Sequence, residues 1–137
     1  MEIRRLKTDN HFEEINSYSR VVTVGPWLLL ANTAGRDHTT GELSTDPEQQ
    51  MRQAVTNVSR ALAAAGSELA EVVRLTVRIP ERANVRRLMP VVGEAFRGID
   101  PAMTIICTPL AGDYAVELEA TAYHGAESDT HEHISLG

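Results

Sequence analysis

Glu117 and Glu119, two carboxylates one residue apart, are the residues whose types and spacing most directly suggest chemistry. In an extended chain residues i and i+2 point the same way. The alternation of Val116, Leu118 and Ala120 with Glu117, Glu119 and Thr121 therefore puts both acids on one face of a strand over Ala115 to Tyr123. Two like charges on one face favour a raised pKa in one of them, which a general acid or base working near neutrality requires. The same pattern also describes an ordinary antiparallel strand with one wet face. Upstream, Met103, Ile105 and Cys107 alternate with Thr104, Ile106 and Thr108, and Pro109 ends the run. With turn chemistry at Ala111, Gly112 and Asp113, residues 101–122 read as two buried strands joined by a tight turn. Cys107, the single cysteine, shares a face with Met103. Its thiol is a candidate nucleophile or redox-sensitive group if its surroundings lower its pKa, and otherwise a small core residue.

Other chemistries find few residues. Lys7 is the only lysine and lies in the N-terminal segment, which disfavours a Schiff-base site and covalently held pyridoxal phosphate. His131, Glu132 and His133 offer a His-x-His pair, but a zinc site needs three or four ligands, so the expectation is no metal and a solvated tail. A formal net charge of −6 argues against a general nucleic-acid partner. A lone cysteine without a disulfide partner, no apolar run long enough to span a membrane and no apolar segment behind Met1 to Lys7 make the expected setting cytoplasmic, with no membrane partner.

The elements that must position the carboxylates follow from the pattern upstream. Ile15 to Val24 reads as a first strand, turning at Gly25 and Pro26 into a second over Trp27 to Ala31. Ala34 to Ser44 is rich in Gly, Thr and Asp and reads as a loop. Asp46 as N-cap, Pro47 at the first helical position and Glu48 in the first turn start a helix. Its apolar stripe is Met51, Ala54, Val55, Val58, Ala61, Leu62 and Ala65, and Gly66 stops it. Leu69 to Ile79 is a strand closed by Pro80, and Asn84 is positioned to cap a second helix in which Pro90 should introduce a kink. Hairpin, helix, strand, helix and two strands give an α+β domain over residues 1–124, with two helices on one face of a mixed sheet and a polar tail over 125–137. The other face is most simply buried by self-association, which would put sites between subunits.

With the elements placed, the chain resembles the YjgF/RidA family over nearly its whole length. The resemblance rests on Thr40-Gly41-Glu42-Leu43, Gln50 and Asn57, Ala65-Gly66, Val72 to Val77, Glu94-Ala95-Phe96, Pro101-Ala102 and Val116 to Ala122. It implies a chorismate-mutase-like fold and a homotrimer with clefts between subunits. It also implies hydrolysis of enamines and imines such as 2-aminoacrylate to keto acids and ammonia, without metal or cofactor. Residue by residue, Tyr18 matches the tyrosine that lines the cleft, and Glu117 matches the glutamate that helps position the attacking water. The arginine that follows Pro-Ala and grips the substrate carboxylate is Met103 here, and Ala31-Asn32 stands where the family has Ser-Gly. The neutral thioether of Met103 cannot make a bidentate contact to a carboxylate.

The resulting expectation is an enzyme acting on a reactive imine, enamine or activated carbonyl compound, distinct from a standard 2-aminoacrylate deaminase. Glu117 and Tyr18 are its catalytic candidates. Asn32, Met103, Cys107, Arg20, Arg36 and Glu119 are its substrate-binding candidates, Arg20 and Arg36 being the nearby cations that could replace the lost grip on an anion. Glu119 could equally pair across a subunit interface. Loss of the arginine predicts a preference for neutral or cationic substrates over dicarboxylates. The alternative is a non-catalytic, ligand-binding or chaperone-like homotrimer that keeps the scaffold.

Overall fold

The computed structural model describes residues 1–125 and 129–137, so part of the expected tail, 126–128, lies outside the described residues. Among the described residues seven strands form one sheet: β1 (Ile3–Leu6), β2 (Val21–Val24), β3 (Trp27–Leu30), β4 (Thr33–Ala34), β5 (Val72–Arg78), β6 (Ala102–Ile106) and β7 (Glu117–Tyr123). The helices are α1 (His11–Ile15), α2 (Pro47–Ala64) and α3 (Val85–Ala95). The strand order is β1-β2-β3-β7-β5-β6, with β4 continuing the β3 side of β7. β5 and β6 are parallel, joined through α3, and the other pairings are antiparallel.

One face of the sheet is buried by α2 and α3. Leu28 and Leu30 of β3, Leu75 and Val77 of β5 and Leu118, Ala120 and Ala122 of β7 form a single core with Met51, Ala54, Val58 and Leu62 of α2 and Leu88, Val91 and Val92 of α3. Strand alternation sends the intervening residues to the open face, so Glu117, Glu119, Thr76 and Arg78 share one surface. That surface also carries Trp27 and Leu29, 45% and 47% exposed, and Tyr123, whose ring meets Trp27 edge-on at 5.0 Å.

The α2 start follows from the expected chemistry. Asp46 accepts from the backbone N–H of Glu48 at 3.2 Å, Pro47 opens the first turn, and Gly66 takes a φ of 84° beyond the last turn. Asp46 also binds the Arg87 guanidinium, tying the start of α2 to the first turn of α3.

Several expectations are corrected. Residues 101–122 are not a hairpin of two buried strands: β5 lies between β6 and β7, and β6 is an edge strand, exposed from Ala102 to Ile105. The apolar run at 103–107 suggested burial, but an edge strand has a neighbour on one side only. Cys107 is exposed, which excludes the small-core-residue reading. The strand expected over Ile15 to Val24 shortens to Val21–Val24, because the Asn10 side chain caps Phe12 N at 2.8 Å and starts α1 through Ile15. Leu69–Glu71 is a 3-10 turn rather than the start of β5, and the β5–β7 register shifts between Val72 and Arg74, leaving Val73 as the extra residue of a bulge. Asn84 makes no side-chain cap, since a 3-10 turn over Arg82–Asn84 leads directly into α3. α3 continues through Pro90, which lies on its exposed side.

Candidate functional site

The site is built on the C-terminal end of β5 and the N-terminal end of β7. Arg78 and Glu117 are register partners, as are Thr76 and Glu119, while Ala34 of β4 flanks Glu117 on the other side. Arg78 Nη1 donates to Glu119 Oε1 at 2.8 Å and to Asn32 Oδ1 at 2.7 Å. Arg20 Nη1 donates to the Asn32 carbonyl at 2.6 Å, and Arg20 Nη2 lies 3.4 Å from Glu13. The Arg20 guanidinium also sits 5.8 Å from the centre of the Tyr18 ring. Tyr18, Arg20, Asn32, Glu117 and Glu119 thus converge on one patch with Arg78.

Local structure explains how each residue arrives there. Ser17 takes a left-handed φ of 57° after α1, and the Tyr18 N–H returns to the Glu13 carbonyl at 3.0 Å, fixing the chain direction at Tyr18. Glu13 is 1% exposed and accepts from the Thr8 N–H at 2.9 Å and the Thr8 hydroxyl at 2.5 Å, so it is a rigid anion against which Arg20 is held. Two α2 side chains fix the segments around Glu117. Gln50 Oε1 accepts from Ala115 N at 2.8 Å, just before β7, and Asn57 Nδ2 donates to the carbonyls of Ala34 and Arg36 at 2.9 and 2.8 Å.

Burial raises the Glu117 pKa, and the positive charges of Arg78 and Arg20 offset this only in part. Its two cationic neighbours already have carboxylate partners, Glu119 for Arg78 and Glu13 for Arg20. A raised carboxyl pKa is the property that a general acid–base group requires.

Three sequence candidates are placed elsewhere within this chain. Met103 pairs with Leu75 and so shares the face of the helix-covered core; on β6 the face of Glu117 is occupied by Thr104 and Ile106, partners of Thr76 and Arg78. Cys107 follows β6 as an exposed free thiol. Arg36 donates to the Gly41 carbonyl at 2.8 Å and stacks 5.9 Å from the centre of the Tyr114 ring. Sequence reasoning missed Arg78 and Glu13. The available signal for Arg78 was the period-two run Arg74, Thr76, Arg78, whose basic face complements Glu117 and Glu119 once β5 rather than β6 is paired with β7. Among the described residues no cluster of metal-ligating side chains is present, and no helix is long and apolar enough to cross a membrane.

A family profile described as "Endoribonuclease L-PSP" matches residues 8–124. The chain belongs to the YjgF/RidA family. It is 31% identical over 118 residues to a RutC family protein of Pyrococcus horikoshii, covering 85% of this chain and 94% of the relative. It is 28% identical over 110 residues to a 2-iminobutanoate/2-iminopropanoate deaminase of Dermatophagoides farinae, covering 79% and 86% of the two chains. A crystal structure of a member of the YjgF/YER057c/UK114 family from Mycobacterium tuberculosis superposes with a TM-score of 0.76 at 31% identity, covering 89% of this chain and 99% of that one. The α+β fold with two main helices on one face of a mixed sheet is thus the YjgF/RidA fold.

Proposed function

We propose that this YjgF/RidA-family chain hydrolyses a small imine, enamine or activated carbonyl compound at the open face of its sheet, in a cleft completed by further copies in a homotrimer. The observation that carries the reading is Glu117, half-buried, with its pKa raised by desolvation, on the face where Tyr18, Asn32, Arg20 and Arg78 converge. The imine deaminase among the relatives supports the reaction class. The exposed Trp27, Leu29 and Tyr123 on the same face support a self-association that would remove them from water.

For an iminium the steps balance without a metal or redox partner. The oxygen of a water molecule bonds to the imine carbon while one of its protons passes to the Glu117 carboxylate. Glu117 returns that proton to the nitrogen of the tetrahedral adduct, the C–N bond breaks, the hydroxyl proton is lost as the carbonyl forms, and the products are a carbonyl compound and ammonium. Tyr18 and the Asn32 amide orient the substrate by hydrogen bonds. The exposed edge strand β6, with Met103 and Cys107 at its periphery, is available to wall the cleft of a neighbouring copy.

Ammonia release from imines generated in situ tests the reading. Wild type should accelerate it, and Glu117→Gln should lower kcat by about 100-fold or more, the usual contribution of a general acid–base group. Met103, where the family carries an arginine, favours one rival: a binding trimer without chemistry. That rival predicts ligand binding with no wild-type acceleration.

A further inference from the structure

Resting on the reading just given, the substrate class can be narrowed from the charge pairing around Glu117. Arg78 and Arg20 are the cations that act on Glu117. Arg20 is 16% exposed in its side chain, faces the fully buried Glu13, and donates from its other terminal nitrogen to the Asn32 backbone carbonyl. Arg78 faces Glu119 at 2.8 Å, and its Nη1 serves both Glu119 and the Asn32 side chain. Each of these two guanidinium charges is thus matched by a carboxylate of the chain itself; Arg74, on the same face, lies one pleat beyond Thr76 and opposite Thr121 rather than either glutamate, while Glu117 remains an additional anion beside Arg78. On β6 the neighbours of this face are Thr104 and Ile106, neither of them charged.

We propose that Glu119 is a specificity-determining residue: by holding the Arg78 guanidinium it makes the site select imines that carry no carboxylate, bound as the iminium or as a neutral imine beside Glu117. A carboxylated imine would have to displace Glu119 from Arg78 and would leave two glutamates facing its own negative charge. An iminium without a carboxylate meets in Glu117 an anion whose cationic neighbours already have carboxylate partners. The Arg78–Glu119 pair is half-exposed and modest in strength, so its effect is a bias rather than a block, about tenfold.

The test compares 2-iminopropanoate with its methyl ester, both generated in situ, using the full-length protein. A parallel calorimetric arm compares pyruvate with methyl pyruvate. Wild type should favour the ester by about tenfold in kcat/KM and in affinity. Glu119→Gln, which frees Arg78, should erase or reverse that preference chiefly through improved use of the carboxylate. A wild-type preference for the carboxylate, or a ratio unmoved by Glu119→Gln, overturns the proposal. If Glu119→Gln does not fold, Arg78→Gln serves instead, because it leaves Glu119 unpaired and should deepen the discrimination; an unchanged ratio again overturns it. Absence of turnover on either compound would refute the hydrolytic reading alone, since the calorimetric ratio still decides the role of Glu119.

Discussion

Asn57→Ala should destabilise the protein far more than the loss of one surface-polar side chain and should impair the site without touching it. Asn57 is 4% exposed on α2; its amide donates to the carbonyls of Ala34 and Arg36 at 2.9 and 2.8 Å, and its oxygen accepts from Gln53 at 2.9 Å. Truncation leaves two partly buried backbone acceptors without their donor. Leaving a buried polar group unsatisfied costs about 1–3 kcal/mol, so with some water entry the total should be about 2–4 kcal/mol. At a urea dependence of about 2 kcal/mol per molar, the midpoint should fall by about 1–2 M at fixed protein concentration. The control is Gln53→Ala, which deletes one of these bonds but leaves both carbonyl contacts, and should cost less than about 1 kcal/mol. Ala34 is the register partner of Glu117, so the loosened β4 should also lower kcat in Asn57→Ala. A loss below about 1 kcal/mol, or equal losses in the two variants, would refute the claim that Asn57 holds β4 in place.

Two glycines should respond oppositely to alanine. At Gly35 a Cβ would clash with the Gln50 backbone carbonyl, so Gly35→Ala should cost about 3 kcal/mol or more in chemical denaturation; at Gly93, within α3, a Cβ meets nothing within 4 Å and Gly93→Ala should stabilise by about 0.5–1 kcal/mol. Because the folded-state pKa of Glu117 is raised, the native protein binds more protons than the unfolded chain as pH climbs above 4.5, and stability falls through that window. Glu117→Gln should therefore melt higher than wild type at neutral pH, with the difference vanishing below 4.5. Glu71 behaves in the opposite sense: burial pushes its pKa up, but hydrogen bonds from His124 and Ser67 together with the His124 charge hold it below 4.5. Its contribution is present above 4.5 and lost as pH falls through the depressed value, and His124→Ala should flatten that acid-side loss in a pH series of thermal melts.

The parts of the fold legible in the sequence were those encoded locally. The α2 start at Asp46-Pro47-Glu48, its apolar stripe and the stop at Gly66 needed only neighbouring residues, and the alternation of Glu117 and Glu119 against Leu118 and Ala120 needed only the pleat. What was missed depends on pairing between distant segments. The apolar alternation at 103–107 and at 115–123 is the same whether the two strands pair with each other or lie on either side of β5, so the pairing of Arg78 with Glu117 was not readable from either segment alone. The parity of β6 is fixed by its parallel register with β5, which turns Met103 toward the core face and gives the site face to Thr104 and Ile106. Glu13 escaped notice because the sequence pattern showed no element before Ile15, and its burial arises from the contacts of Thr8 and Arg20 closing over it.

The central claim, that Glu117 moves the proton in hydrolysis, is tested most directly by the pH dependence of kcat/KM for the methyl ester of 2-iminopropanoate, measured by ammonia release in wild type and Glu117→Gln. The account predicts an acidic limb in wild type with its midpoint above the ordinary carboxylate value of 4.5, and in the glutamine variant a low rate without that limb. A limb that persists in Glu117→Gln at an undiminished rate would contradict it.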